Sequence, residues 1–161
     1  MAFDLRIGSC ICTTRLHSVR PIGWSQGRLP RLRCSRCGGL RFGLMTCHDL
    51  RLPEVSRTLA GLGVDVALVP VEWVRGALEE HHWRTLLAAR AIENTFFVAA
   101  ADHPPPLGVG QSVIIDPQGV TLAQVGTAID VTVAQVDPAA IARVRRVNPA
   151  LELRRFRVTP R

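Results

Sequence analysis

Cys47 is the side chain with the most chemistry to offer in this sequence. In GLMTCHDLRLPE, residues 43 to 54, it stands between an apolar run and a charged stretch that contains Pro53. A thiol in such a place can be an inert core residue, a metal ligand, or, once ionised, a nucleophile. The other cysteines, Cys10, Cys12, Cys34 and Cys37, form a C-x-C and a C-x-x-C pair. Four thiolates can hold a structural Zn²⁺, and with an Arg excess they would make a small nucleic-acid module. C-x-C is less usual than paired C-x-x-C, however, and no His lies at zinc-finger spacing, so no metal site is expected. Glu72 and Glu93 are the candidate carboxylates. Glu93 falls late on a helix with a clear apolar face, where solvation or a buried pairing is the expected role. His81 and His82 are neighbours, so on a helix they point apart and are expected to cap or face water rather than share a metal.

A chain of 161 residues suits one domain, and with 47% hydrophobic residues it can bury a proper core. The net charge of +7 would ordinarily raise nucleic acid or an anionic surface as partner. All 20 basic residues are Arg, with no Lys and no Tyr, which a GC-rich coding sequence explains as readily as phosphate contacts do. Arg143, Arg145, Arg146, Arg154, Arg155 and Arg157 form a basic cluster that reads as a solvated helix face or oligomer contact. No nucleic-acid partner is expected. No apolar run reaches the length of a membrane span, and the amino terminus lacks a leader pattern, so the expectation is a cytoplasmic protein with reduced thiols and no membrane partner.

Composition changes near residue 38. Residues 1–37 hold four of the five Cys and one carboxylate, Asp4, and read as an irregular or disordered segment. From Gly38 to Arg161 the texture is α/β. LRFGLMT predicts a strand leading to Cys47, and PEVSRTLAGLG predicts a helix with Pro53 at its start and Gly61 and Gly63 at its end. VDVALVPVEW predicts a buried strand, HHWRTLLAARAIEN a helix, and TFFVAAAD another strand. SVIIDPQGVTLAQVG predicts a hairpin around Asp116-Pro117-Gln118-Gly119, and AIDVTVAQV a last strand. DPAAIARVRRVNP predicts a helix with Asp137 as N-cap. Cys47 thus falls at the carboxyl end of a buried strand just before a helix, a junction that suits a nucleophile because backbone N–H groups there can meet a developing oxyanion.

GLMTCHDLRLPE resembles the nucleophile motif of the carbon-nitrogen hydrolase (nitrilase) superfamily, whose members usually carry an aromatic residue where this chain has His48. The resemblance continues in register through VALVPVEW, HHWRTLLAARAIENTFFVAAAD, GQSVIIDPQGVTLAQVG and RRVNPALELRR, covering nearly everything after residue 38. It implies a four-layer αββα sandwich of which the amino-terminal half is missing here, so that residues 38–161 form the carboxyl-terminal part of the domain. It implies cleavage of a non-peptide C–N bond through a Cys thioester, with a Glu as general base and a Lys supporting the tetrahedral intermediate. Carried over by position, Cys47 matches the nucleophile, the backbone N–H of His48 an oxyanion donor, and Trp73 a residue lining the substrate pocket. The implied substrate is a small amide, or less favoured a nitrile. No cofactor is implied, and the family's habit of pairing allows a homo-oligomer.

In the family the Glu and Lys precede the Cys, whereas here no Glu occurs before Glu54 and no Lys occurs at all. The chain alone is therefore expected to be inactive, and its remaining sheet to expose an apolar face that the absent strands would cover. Back-translating Arg6 to Leu16 and starting each codon on the third base of the old one permits YRKLHLYDAF, which resembles the family's lysine motif. Residues 1–37 are accordingly read as out of frame. Two further readings are an interaction remnant that binds a partner or a complete homologue, and the zinc and nucleic-acid module.

Overall fold

The computed structural model describes residues 2–7, 10–15 and 34–159. Two strands, β1 (Ala2–Ile7) and β2 (Cys10–Arg15), pair antiparallel in a sheet of their own. The remaining strands form one six-stranded sheet in simple sequential order: β3 (Cys34–Cys37), β4 (Leu40–Leu44), β5 (Val66–Val71), β6 (Phe97–Asp102), β7 (Val113–Ile115) and β8 (Thr121–Gln124). The central pairs β4–β5 and β5–β6 are parallel, as their helical crossovers require, and the outer pairs are antiparallel. The crossovers are α1 (Pro53–Gly61) and α2 (Glu79–Asn94), and α3 (Pro138–Val147) follows the sheet.

Side-chain alternation sorts the sheet into two unequal faces. Met45, Ala67, Val69, Val71, Val98, Ala100, Val113 and Ile115 point one way, into a buried core completed by Leu59 of α1 and by Trp83, Leu87 and Ala91 of α2. The opposite face carries Leu40, Phe42, Val66 and Phe97, against which Ile141 of α3 packs. That cover is partial: Leu44, Leu68, Ala99, Ala101 and Ile114 on this second face are half-buried. Arg145 ties α3 to the sheet, donating to the Val64 carbonyl at 3.2 Å and lying 3.7 Å from Asp65. It is thus a structural tie, unlike the solvated cluster around it.

Most predicted elements are present with trimmed ends. The hairpin turn is built on Asp116, whose Oδ1 accepts from the N–H groups of Gln118 at 2.8 Å and Val120 at 2.9 Å, while Gly119 takes a φ of 85°. Asp137 caps α3 by accepting from Ala139 N–H at 2.8 Å. Two expectations are corrected. Residues 1–37, expected to lack regular structure, include β1, β2 and β3. The last of these forms because Gly38 and Gly39, at φ of 56° and 80°, close a two-residue hairpin that lays Cys37 opposite Leu40. Conversely, AIDVTVAQV has the alternation of a strand but joins no ladder, because no neighbouring strand lies beside it among the described residues.

The contact between β4 and α1 is close enough to require glycine. A Cβ on Gly43 would stand 2.8 Å from both Leu59 Cδ2 and Val64 Cγ2, and both of those side chains are fully buried. Gly43→Ala is expected to lower stability by about 1–3 kcal/mol through overpacking. A urea midpoint unchanged by the substitution would show that α1 is free to move away from the sheet.

Candidate active site

The corner after β4 is assembled in steps. Met45 donates its N–H to the Leu68 carbonyl at 2.9 Å, prolonging the ladder, and its side chain is buried. Thr46 then leaves the sheet and caps a short 3-10 helix (Cys47–Arg51): its N–H donates to Asp49 Oδ2 at 2.8 Å and its carbonyl accepts from Asp49 N–H at 3.1 Å. Leu50, fully buried, pins this turn into the core. Its carbonyl accepts from both Nε and Nη2 of Arg90 at 3.0 and 2.9 Å. Arg90 itself is buried and paired with Glu93 at 3.1 Å.

Cys47 stands at the start of this turn with φ of 50°, a left-handed conformation that costs a residue with a Cβ roughly 1–2 kcal/mol. Its side chain is exposed, and Sγ lies 3.9 Å from the Glu72 carbonyl oxygen at the end of β5. A strained, exposed thiol at a strand-to-helix corner is the arrangement in which a nucleophile is presented clear of a sheet. His48 follows, also exposed, in the first turn of the 3-10 helix.

Trp73, just beyond β5, is 4% exposed. Its indole N–H donates to the Glu79 carbonyl at 3.0 Å, and its ring lies 5.6 Å from that of Trp83. Arg51, the last residue of the Cys47 turn, places its guanidinium 4.4 Å over the Trp73 ring and bonds Glu79 at 2.7 Å. A cation over an aromatic face, joined to a carboxylate, thus locks the thiol-bearing turn to the segment after β5. Glu93, half-buried, is taken up by Arg90, Ser56 and Asn94, between the solvation and the buried pairing expected for it. Glu72 is exposed, and its backbone carbonyl is the group that faces Cys47 Sγ. His81 is exposed and His82 half-buried. Among the described residues no group of His, Cys, Asp or Glu side chains converges as a metal site, while Cys10 and Cys12 have side chains outside that description. A shallow cleft of about 200 Å³, lined by Arg84, Gln111, Gly119 and Gln124 among others, does not include Cys47, His48 or Trp73.

Asp102 has a part that the sequence reading missed. It ends β6, is buried, and accepts from the N–H groups of Trp73 at 2.7 Å and Gly110 at 3.0 Å. Burial pushes its pKa above the ordinary 3.8, against the opposing pull of backbone donors from Trp73, His103, Gly110 and Val109. Gly108 packs against this carboxylate so closely that a Cβ would sit 2.7 Å from both oxygens. The signal available was an Asp closing an apolar strand, followed by Pro104-Pro105-Pro106 and two glycines.

The carbon-nitrogen hydrolase family model matches residues 15–146. The chain belongs to the carbon-nitrogen hydrolase family. It is 52% identical over 85 residues to the deaminated glutathione amidase of Escherichia coli O157:H7, covering 53% of this chain and 32% of that protein. It is 40% identical over 92 residues to the 2-oxoglutaramate amidase of Bacillus subtilis, covering 55% of this chain and 35% of that one. Among solved structures the NitFhit protein of Caenorhabditis elegans superposes with a TM-score of 0.74 at 30% identity, over 95% of this chain and 37% of that one. The chain spans less than half the length of these relatives. The family match begins at residue 15, ahead of the composition change near residue 38.

Asp102→Ala would leave two buried N–H groups without an acceptor and is expected to cost about 2–4 kcal/mol, with the loss felt at Trp73. Denaturation followed by tryptophan fluorescence measures it, and a change within error would mean that those donors find other partners. The sign of the pH effect follows from burial. The folded carboxyl holds its proton to higher pH than the unfolded one, so this group's contribution to stability falls as pH rises from 3.8 through the raised pKa and returns on acidification. An NMR titration is expected to place the Asp102 carboxyl above 3.8, and a midpoint below that value would contradict the burial argument.

Proposed function

We propose that this chain is the nucleophile-bearing part of an amidase-type carbon-nitrogen hydrolase, with Cys47 as the attacking thiolate. The observation that carries the reading is the exposed Cys47 side chain held at φ of 50° at the strand-to-helix corner, within the family match. The thiolate adds to the amide carbon, and the backbone N–H of His48 donates to the oxyanion. Collapse of the tetrahedral intermediate breaks the C–N bond, and the amine leaves with a proton. Water then adds to the thioester, releasing the acid and restoring the thiol. By family resemblance Trp73 falls to the substrate pocket, and its burial beneath Arg51 supports a rigid aromatic there rather than a mobile contact.

The substrate class is a small amide, supported by the names of the relatives, which are amidases of deaminated glutathione and of 2-oxoglutaramate. Proton abstraction and cationic support of the oxyanion fall, by family resemblance, to a Glu and a Lys. This chain has no Lys and no Glu before Glu54, so by itself it holds the nucleophile without its two helpers. The site is proposed to work in a reduced, cytoplasmic setting, since an oxidised thiol cannot attack.

Iodoacetamide is expected to modify Cys47 in the folded chain, with the adduct located by peptide mass mapping and absent in Cys47→Ser. Ammonia release from a panel of small amides is expected to stay at background for the chain alone. Turnover by the isolated chain that Cys47→Ser abolishes would show that the missing Glu and Lys are dispensable, and protection of Cys47 from alkylation would remove the nucleophile assignment.

A further inference from the structure

One peptide unit beyond the end of β5 joins the thiol to a buried carboxylate. Glu72 supplies its carbonyl, whose oxygen lies 3.9 Å from Cys47 Sγ, and Trp73 supplies its N–H, which donates to Asp102 Oδ1 at 2.7 Å. A planar trans peptide sends its C=O and N–H in opposite directions, so fixing one end aims the other. Asp102 is itself fixed: it is buried at the end of β6, and its Oδ2 accepts from Gly110 N–H at 3.0 Å. The loop that carries Gly110 grips the same segment, since Val109 donates to the Trp73 carbonyl at 3.0 Å and Val74 bridges to Gly108. The Trp73 side chain is held as well, by its indole N–H on the Glu79 carbonyl and by the Arg51 guanidinium over its ring. The Glu72 carbonyl is the group that this framework turns toward the sulfur.

We propose that Asp102 is a positioning residue for Cys47, acting through the Glu72–Trp73 peptide: the carboxylate holds the N–H, and the carbonyl of the same peptide holds the thiol by its S–H. This rests on the functional reading above, because aiming a thiol matters to the chemistry only where that thiol attacks. Both Asp102 oxygens are engaged by main-chain N–H groups, which makes the side chain an anchor rather than a base for the thiol proton. Its 2.7 Å bond to a buried N–H is also stiffer than the contact it supports, since S–H is a weak donor. Control therefore runs from the carboxylate to the sulfur. The left-handed backbone of Cys47 sets where Sγ stands, and the Glu72 carbonyl sets which way its proton points.

The test compares the rate at which iodoacetamide modifies Cys47 with its rate at Cys34 in the same sample of the full chain, both adducts being quantified by peptide mass mapping. Cys34 is an exposed thiol on β3, with β4 and β5 between it and Asp102 on β6, so it serves as the internal reference. Asp102→Ala is expected to raise the Cys47-to-Cys34 ratio roughly three- to tenfold, the worth of one neutral hydrogen bond. Asp102→Asn keeps an oxygen for the Trp73 N–H and is expected to return the ratio to within about twofold of the unaltered chain. Ser112→Ala removes a hydroxyl that accepts from the Asp102 main-chain N–H at 3.0 Å and spares the carboxylate, so it is expected to lower stability without moving the ratio. Should Asp102→Ala fail to fold, the unaltered chain gives a second readout: alkylation of Cys47 removes the S–H donor and is expected to shift the amide ¹⁵N resonance of Trp73, on the far side of the peptide. An unchanged ratio in Asp102→Ala, an equal rise in Asp102→Asn or Ser112→Ala, or a Trp73 resonance indifferent to alkylation would each overturn the proposal. The nucleophile assignment fails separately. A ratio that responds to Asp102 while an activated ester leaves no acyl group on Cys47 supports the positioning and refutes the nucleophile, and the reverse pair of results does the opposite. Cys47 unmodified in every variant would remove both.

Discussion

The double hydrogen bond from Arg90 to the Leu50 carbonyl is the constraint on which the site depends. A 3-10 turn of five residues has little stability of its own, and a left-handed Cys47 at its start adds strain. The turn persists because its middle is sunk in the core through Leu50 and fastened by a buried guanidinium, while its end is held by Arg51 over Trp73. Arg90 can serve there because Glu93, one helical turn along α2, balances its charge. The thiol is thus presented by interactions that are all on the protein side of it, leaving its outer side open.

The two faces of the sheet are covered unequally. On the helix side, burial is total from Met45 to Ile115, whereas on the other side α3 covers only the region around Ile141. The row from Leu44 to Ile114 is therefore half-buried, and Ile129, Val131 and Val133 are exposed.

Much of this was legible in the sequence. Hydrophobic periodicity located β5, β6, α1 and α2, and the turn chemistry of Asp116 and the cap at Asp137 were read from residue type alone, because those features are local. What escaped depends on something a single stretch of sequence does not contain. The strand pattern of AIDVTVAQV has the right period, but a strand exists only with a neighbour, and among the described residues there is none. Cys34–Cys37 looked irregular because its composition is odd, yet a Gly-Gly hinge to β4 was enough to pair it. Asp102 escaped because its importance arises from two N–H groups, of Trp73 and Gly110, that come together only in the fold. The same holds for Arg90, one residue of a predicted helix whose partner, the Leu50 carbonyl, is brought to it only by the fold.

Acylation by an activated ester addresses the central claim most directly, since such a reagent needs a presented thiol but not the missing base. The full chain treated with a p-nitrophenyl ester of a short acid and digested under acidic conditions is expected to carry a single thioester, mapped to Cys47. An acyl group found instead on Cys34 or Cys37, with Cys47 unmodified, would contradict the assignment of this corner as the site of acyl capture.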